Sequence, residues 1–298
     1  MIIFKFGGAS VRSADAVRNM AGIMNHYQKQ RMVVVVSAMG KTTNALERIV
    51  DHFTGRDEQG VREGMDRLRE YHMEIVEGLF GDRGHPVYED MDRIFAELAA
   101  ELGKEPTLNY DFDYDRLIGF GEILSTRIIY HFLDLSGFPV QWLDIRRSLK
   151  TDSTWREARV DWELSSLLVR RNFVFDDARI LVTQGFLGSN INDATTSLGR
   201  EGSDYTAAIL AYIMKPDSVT IWKDVPGVLN ADPKYFDDTI LLEKLSYLDA
   251  IELAYFGTSV IHPKTIKPLQ NRHINLHVKS FLDPQAPGTL VGNLSYDK

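Results

Sequence analysis

Cysteine is missing from all 298 residues of the chain. That absence excludes disulfides, thiolate metal sites and a cysteine nucleophile. Long hydrophobic runs are also missing. The longest apolar stretch is 207–214, far short of a membrane span. The opening MIIFKFGGAS is apolar for only a few residues and lacks the basic region and long apolar core of a signal peptide. Positive charge is in deficit, with 34 Lys and Arg against 42 Asp and Glu. A net charge of −8 argues against nucleic acid or an anionic membrane as partner, because both need a basic surface. It leaves room for a small anionic substrate, which responds only to local charge. No repeat, low-complexity linker or Pro/Ser-rich tether interrupts the chain. These absences fit a cytoplasmic globular protein, 44% hydrophobic and 26% charged, long enough to bury its own core.

What is present is an alternation. Ile2–Phe6, Met32–Val36, Val140–Leu143, 180–182 and 219–222 are short runs apolar on both faces. Such runs suit strands of a parallel sheet covered by helices on each side. Helical patterns separate them. Val17, Met20, Ala21, Met24 and Tyr27 follow the first run at helical spacing. Leu117, Phe120, Leu124, Ile128 and Leu135 predict one helix over about 115–136, stopped by Gly137. The alternation implies right-handed crossovers and an open α/β sandwich. Residues 56–104 differ. They are charge-rich, and the stripe Met91, Ile94, Phe95, Leu98 and Leu102 reads as part of a helical insertion.

Six segments carry chemistry-bearing residues. In KFGGAS, Lys5 stands near a strand end and is followed by Gly7, Gly8 and a helix. The glycines let backbone N–H groups approach a phosphate and the lysine adds charge; a tight turn with an exposed lysine is the plainer alternative. SAMGKTTN contains Gly40-Lys41-Thr42, but a P-loop needs a glycine five positions earlier, where Val35 stands. Ser37 and Thr43 remain, as ligand contacts or as helix caps. Glu122 lies off the Leu117–Leu124 stripe, so periodicity favours a solvated glutamate over a receptor for a substrate ammonium.

TQGFLG and TSLGREGSDYTAA describe a strand, a glycine-rich turn, a polar loop and a helix starting at Ser203 or Asp204. Arg200 beside that helix start suits a carboxylate or phosphate, or is a surface arginine. Asp204 serves as cap, as organiser of a lysine, or as a contact to a metal-nucleotide. In WKDVPGVLNADPK, Asp224 closes a strand, and Lys223 and Lys234 suit phosphates. An irregular loop at the carboxyl edge of a sheet is where α/β proteins bind nucleotides. In FGTSVIHPKT, Pro263 starts a helix, and His262 reads as a packed or capping residue. His273 and His277 are four apart in a strand-like segment, so helical metal-ligand spacing does not apply.

In this order the segments resemble the catalytic domain of aspartate kinase (aspartokinase), within the amino acid kinase superfamily. The resemblance runs from Phe4 to about Gly292. It implies an open three-layer αβα sandwich with a mostly parallel sheet in two lobes. The first, about 1–180, would bind the amino acid and the second, 181–298, the nucleotide, with the ACT regulatory domains of many members absent. It implies ATP-dependent phosphorylation of the β-carboxylate of L-aspartate to 4-phospho-L-aspartate, which enters lysine, threonine and methionine synthesis. The cofactors would be ATP and Mg²⁺, and a homodimer is the family expectation.

Residue by residue, Lys5 and Asp204 match the catalytic lysine and the aspartate that organises it. Lys5, Gly7 and Gly8 match the phosphate-holding positions, and Ser37 matches the transfer site. Thr43, Glu122, Phe186, Arg200 and Ser203 match the amino acid pocket, with Glu122 on the ammonium and Arg200 on the α-carboxylate. Lys223, Asp224, Leu229 and Lys234 fall on the nucleotide strand and loop, and Ser259 lies near the nucleotide. No protein metal ligand is implied. Ala9 replaces a common threonine, Lys223 stands where threonine is frequent, Leu229 replaces a tyrosine and Ser259 a lysine. Two alternatives stay open: another amino acid or carbamate kinase of the superfamily, or, on Ala9, Leu229 and Ser259, a non-catalytic amino acid sensor with a decayed nucleotide site.

Overall fold

The structure is a computed structural model and describes residues 1–231, 235–236, 238–255 and 260–294. Its strands are β1 (Ile2–Phe6), β2 (Met32–Val36), β3 (Val140–Leu143), β4 (Ile180–Gln184), β5 (Leu187–Ser189), β6 (Thr195–Ser197), β7 (Ser218–Lys223), β8 (Lys244–Ser246), β9 (Asn275–Ser280) and β10 (Thr289–Gly292). One eight-stranded sheet has the order β3-β4-β2-β1-β7-β9-β10-β8, while β5 and β6 form a separate antiparallel pair. The strands from β3 through β9 run parallel, and β10 turns against β9. The fold is the open, mostly parallel sandwich that the alternation implies.

β1, β2 and β4 are buried along their whole length, as their unbroken apolar runs require. β3 departs from expectation. It is the edge strand beside β4, and Gln141 is exposed while its neighbours are only half-buried. Phe4 and Phe6 project to one face of β1, where Phe6 stacks on Trp222 at 6.0 Å. The strand's two-residue period turns Lys5 to the other face.

The helices are α1 (Ala14–Asn25), α2 (Thr42–Thr54), α3 (Glu58–Leu79), α4 (Val87–Leu102), α5 (Tyr110–Ile118), α6 (Phe120–Leu135), α7 (Trp162–Asn172), α8 (Gly202–Met214), α9 (Tyr247–Tyr255) and α10 (Pro263–Gln270). Ser13, Asp57, Asn109 and Asp161 cap α1, α3, α5 and α7 by accepting from backbone N–H groups. His262 caps α10 in the same way, as its place before Pro263 suggests. The insertion is α3 and α4. The single helix expected over 115–136 is two, α5 and α6, broken at Gly119. A side chain there would press on Leu187 and Thr195 of the small β5–β6 pair, at 3.1 and 3.3 Å.

Register decides where a site can form. Phe6 pairs with Val36 and Trp222, and Val36 pairs with Gln184. The carboxyl ends of β1, β2, β4 and β7 therefore finish level. The chain moves from β1 outward to β2 and β4, then returns to β7 on the other side of β1. This makes the β1/β7 junction a topological switch point, where open α/β sheets bind ligands. The start of α8 lies over it.

Candidate active site

A cavity of about 650 Å³ opens at the level carboxyl ends. Lys5, Ser37, Thr43, Glu122, Phe186, Arg200 and Ser203 all line it. Seven sequence candidates from β1, the β2 end, α2, α6, the β4 end and the start of α8 are thus brought together.

At its floor, Lys5 is 6% exposed and Asp204 is fully buried. The Lys5 ammonium lies 2.7 Å from one Asp204 oxygen, and the Lys223 ammonium lies 3.2 Å from the other. Lys223 also reaches Glu201 at 3.6 Å. Burial by itself would raise the Asp204 pKa, but the two ammonium groups outweigh it and hold the carboxyl below its ordinary range. Burial likewise opposes the charge on Lys223, and Asp204 and Glu201 hold its pKa above the ordinary lysine value. Asp204 makes no cap bond at the start of α8, so of its three readings the organiser of lysines is the one the geometry favours. The first N–H groups of α8 lack a side-chain cap, which leaves a positive helix end facing the cavity.

Glu122 corrects the periodicity argument. It is 3% exposed, not solvated, because α6 is enclosed by the sheet, α2 and the insertion. Gly121 permits that approach: a Cβ there would lie 3.0 Å from Ala38 and 3.1 Å from Thr42. One Glu122 oxygen accepts from the Ala38 N–H at 3.2 Å. The other is buried with no hydrogen-bond partner among the described residues. Burial pushes its pKa up to about 8, against weaker opposing pulls from the Ala38 N–H and Lys5. Such a carboxyl at a cavity wall suits an incoming cation. Arg200 is exposed at the same cavity, with no carboxylate partner among the described residues.

The match to known proteins agrees with this geometry. The model of the amino acid kinase family matches residues 1–280. The chain belongs to the amino acid kinase family. Among its relatives, it is 33% identical over 300 residues to lysine-sensitive aspartokinase 3 of Escherichia coli (strain K12), covering 98% of this chain and 64% of that protein. It is 30% identical to the bifunctional aspartokinase/homoserine dehydrogenase 1, chloroplastic, of Zea mays, covering 97% of this chain and 32% of that one. Among solved structures, E. coli aspartokinase III in complex with aspartate and ADP (R-state) superposes with a TM-score of 0.91 at 31% identity, covering 100% of this chain and 65% of that chain. The chain thus spans between about a third and two thirds of the length of these relatives.

Other sequence candidates lie around this amino acid kinase cavity without lining it. Gly7 and Gly8 follow Lys5. Asp224 is exposed just past β7, and Leu229 is half-buried and bridged to Leu241. Lys234 and Ser259 lie outside the described residues. Several wall residues carried no sequence signal: Glu47, Asp111, Tyr114, Arg156, Glu157 and Glu201. The Arg156 guanidinium sits 4.5 Å over the Tyr114 ring, and the Tyr114 hydroxyl donates to Glu47 at 2.9 Å. Burial, then Glu47, pushes the Tyr114 hydroxyl pKa well above the usual tyrosine value. Arg156, Phe186 and Glu201 have φ of 68°, 69° and 53°, a left-handed backbone that side chains disfavour. The Arg156 N–H is fixed by buried Asp115, which also binds the Ser197 N–H, at 3.0 and 2.9 Å.

Proposed function

We propose that this chain phosphorylates the β-carboxylate of L-aspartate with ATP, giving 4-phospho-L-aspartate. The observation that carries this is one cavity holding receptors for every charge of that acceptor and donor. Buried, underpartnered Glu122 suits the ammonium, and Arg200, with no carboxylate partner among the described residues, suits the α-carboxylate. The Lys5–Asp204–Lys223 cluster, beside the uncapped start of α8, suits phosphates. The superposition on aspartokinase III supports the same assignment.

The residues present fit a nucleotide. A Cβ at Gly8 would come within 2.8 Å of the Ala38 carbonyl and 2.9 Å of the Gly40 carbonyl, and one at Gly7 within 3.4 Å of the Lys5 ammonium. Glycine at position 8 lets the chain pass close against those two carbonyls, and glycine at position 7 leaves the Lys5 ammonium uncovered for a phosphate. ATP supplies the phosphoryl group, and Mg²⁺ would travel on its phosphates. No group of three or more His, Asp or Glu suited to a metal occurs among the described residues.

An aspartate β-carboxylate has a pKa near 4 and is ionised at pH 7. No general base is needed. The difficulty is bringing one anion to another, so the protein's work is alignment and charge neutralisation. Glu122 and Arg200 hold the acceptor by its other two charges and leave the β-carboxylate to face Lys5. Asp204 fixes Lys5 and Lys223 as cations, and the α8 N–H groups add partial positive charge. Ser37 and Ser203 offer hydroxyls at the same wall.

Residues 1–180 form the amino acid lobe and 181–298 the nucleotide lobe in this reading. The aspartokinase resemblance supports a homodimer working in the cytoplasm. No helix among the described residues is long and apolar enough to cross a membrane. The deciding experiment is aspartate-dependent ADP release by the purified chain, with hydroxylamine trapping of the acyl phosphate. Trapped hydroxamate with aspartate, and none with glutamate or acetylglutamate, is the expected result. ADP release that ignores aspartate overturns the assignment.

A further inference from the structure

A second cavity, of about 470 Å³, lies behind the first turn of α2 and contains none of the residues assigned to the reaction. Its size falls in the range of small-molecule sites. The floor is apolar, made by Ile49 of α2 and by Leu68 and Tyr71 of α3. The rim is cationic, made by Arg12, Lys41 and Arg48. None of these three cations has a carboxylate partner among the described residues. Two further side chains at the rim are accounted for: Arg67 pairs with Glu63 at 3.5 Å, and the His52 ring lies 2.8 Å from Asp57. In a chain of net charge −8, these three cations around an apolar floor form a local inversion of the surface field. The Tyr71 hydroxyl donates to the Arg12 carbonyl at 2.8 Å and so holds one rim segment over the floor.

We propose that this cavity binds a small amphipathic anion, an apolar body carrying one carboxylate. The floor takes the body and the rim takes the head. A neutral apolar molecule would leave the cations unanswered. A polyanion would leave the floor wet.

The cavity shares a wall with the reaction site. Thr42 lines this cavity and Thr43 lines the other. Beneath them, the Nδ1 of buried His72 lies 2.7 Å from the Leu68 carbonyl, and its Nε2 lies 3.4 Å from the Thr42 hydroxyl. A carbonyl only accepts, so Nδ1 carries the proton and Nε2 accepts from Thr42. A ligand pressing on Leu68 therefore bears on the start of α2 through a short packed path, and occupancy changes the aspartate KM.

Calorimetric titration of the full chain with octanoate, octan-1-ol and octylamine tests the site. One octanoate per chain is expected, with octan-1-ol at least about tenfold weaker and octylamine silent. The double variant Arg12→Gln/Arg48→Gln should melt like the native chain and lose at least about tenfold in octanoate affinity. Ala45→Leu, which fills the cavity from α2, should weaken octanoate and octan-1-ol together. Equal binding of octanoate and octan-1-ol, unchanged binding by the double variant, or no heat at millimolar octanoate overturns the site. These readouts do not depend on the proposed reaction. In turnover assays octanoate should shift the aspartate KM of the native chain and not of the double variant. An unshifted KM with octanoate bound overturns the link through Thr42.

Discussion

The starts of α8 and α6 each present one carboxylate to the same region, and the two are in opposite states. Asp204 is 0% exposed and Glu122 is 3% exposed. Asp204 is held ionised, while Glu122 has a pKa of about 8. Burial disfavours charge at both sites. The difference is in what stands nearby. Asp204 has ammonium groups at 2.7 and 3.2 Å, whereas Glu122 has one N–H at 3.2 Å and an oxygen with no partner among the described residues. Asp204 already has its counter-charges, which suits a scaffold in the proposed reaction. Glu122 has no ion-pair partner among the described residues, and in the proposed reaction a substrate ammonium would supply one. The comparison teaches that a buried carboxylate's role follows from its counter-charges, not from its burial.

Removing the stronger cation of the satisfied side should have the largest effect. Lys5→Ala is expected to keep the fold and lower turnover by about a thousandfold, because developing phosphate charge loses a preorganised partner. ADP release measures it, and near-native turnover would remove Lys5 from the mechanism.

The next largest effect is at the unsatisfied side. Glu122→Gln should raise the aspartate KM by about a hundredfold, as expected for losing a buried charge partner, and leave the ATP KM nearly unchanged. It should also remove a pH signature. The folded pKa of about 8 lies above the ordinary glutamate value of 4.5. Between those values the folded chain holds a proton that the unfolded chain releases, so stability falls as pH rises through that window. Aspartate binding near pH 7 should then release a proton, because the ammonium favours the ionised carboxylate. Titrations in two buffers of different ionisation heat detect this. Proton release that persists in Glu122→Gln would assign it elsewhere.

Lys223→Ala should lower turnover by only about tenfold, since Asp204 keeps its closer partner Lys5. A loss as large as that of Lys5→Ala would make the two lysines one unit. The smallest stability change is expected for Arg156→Gly. Relief of the left-handed backbone offsets the glycine entropy and the lost ring contact, so stability should stay within about 1 kcal/mol of native. A raised aspartate KM in that variant would show that the strained position is kept for its guanidinium. Chemical denaturation and steady-state kinetics separate the two.

Much of the fold was legible in the sequence because its strands are covered on both sides. The bounds of β1 and β2 coincide with their apolar runs. The run at β3 looked the same, but its place at the sheet edge is a property of pairing order. Lys5, Arg200 and Asp204 were legible because glycines and a helix start surround them. Glu122 pointed to solvent by periodicity, since a helical period says which residues share a face and not what packs on the other faces. Arg156, Tyr114 and Glu47 had no local signal at all. They come from separate elements and meet only across the cavity.

The sequence by itself determined the alternation of strands and helices, the absence of thiol chemistry and the deficit of positive charge. Those follow from local composition and spacing. Tertiary structure alone decided that Lys5 and Lys223 share Asp204, because the β1–β7 register and the crossing of α8 bring distant residues within ion-pair reach. It alone decided that Glu122 is dry and that an inverted patch of charge collects behind α2. Charge states and cavities depend on what stands opposite a residue, and only the folded chain sets that.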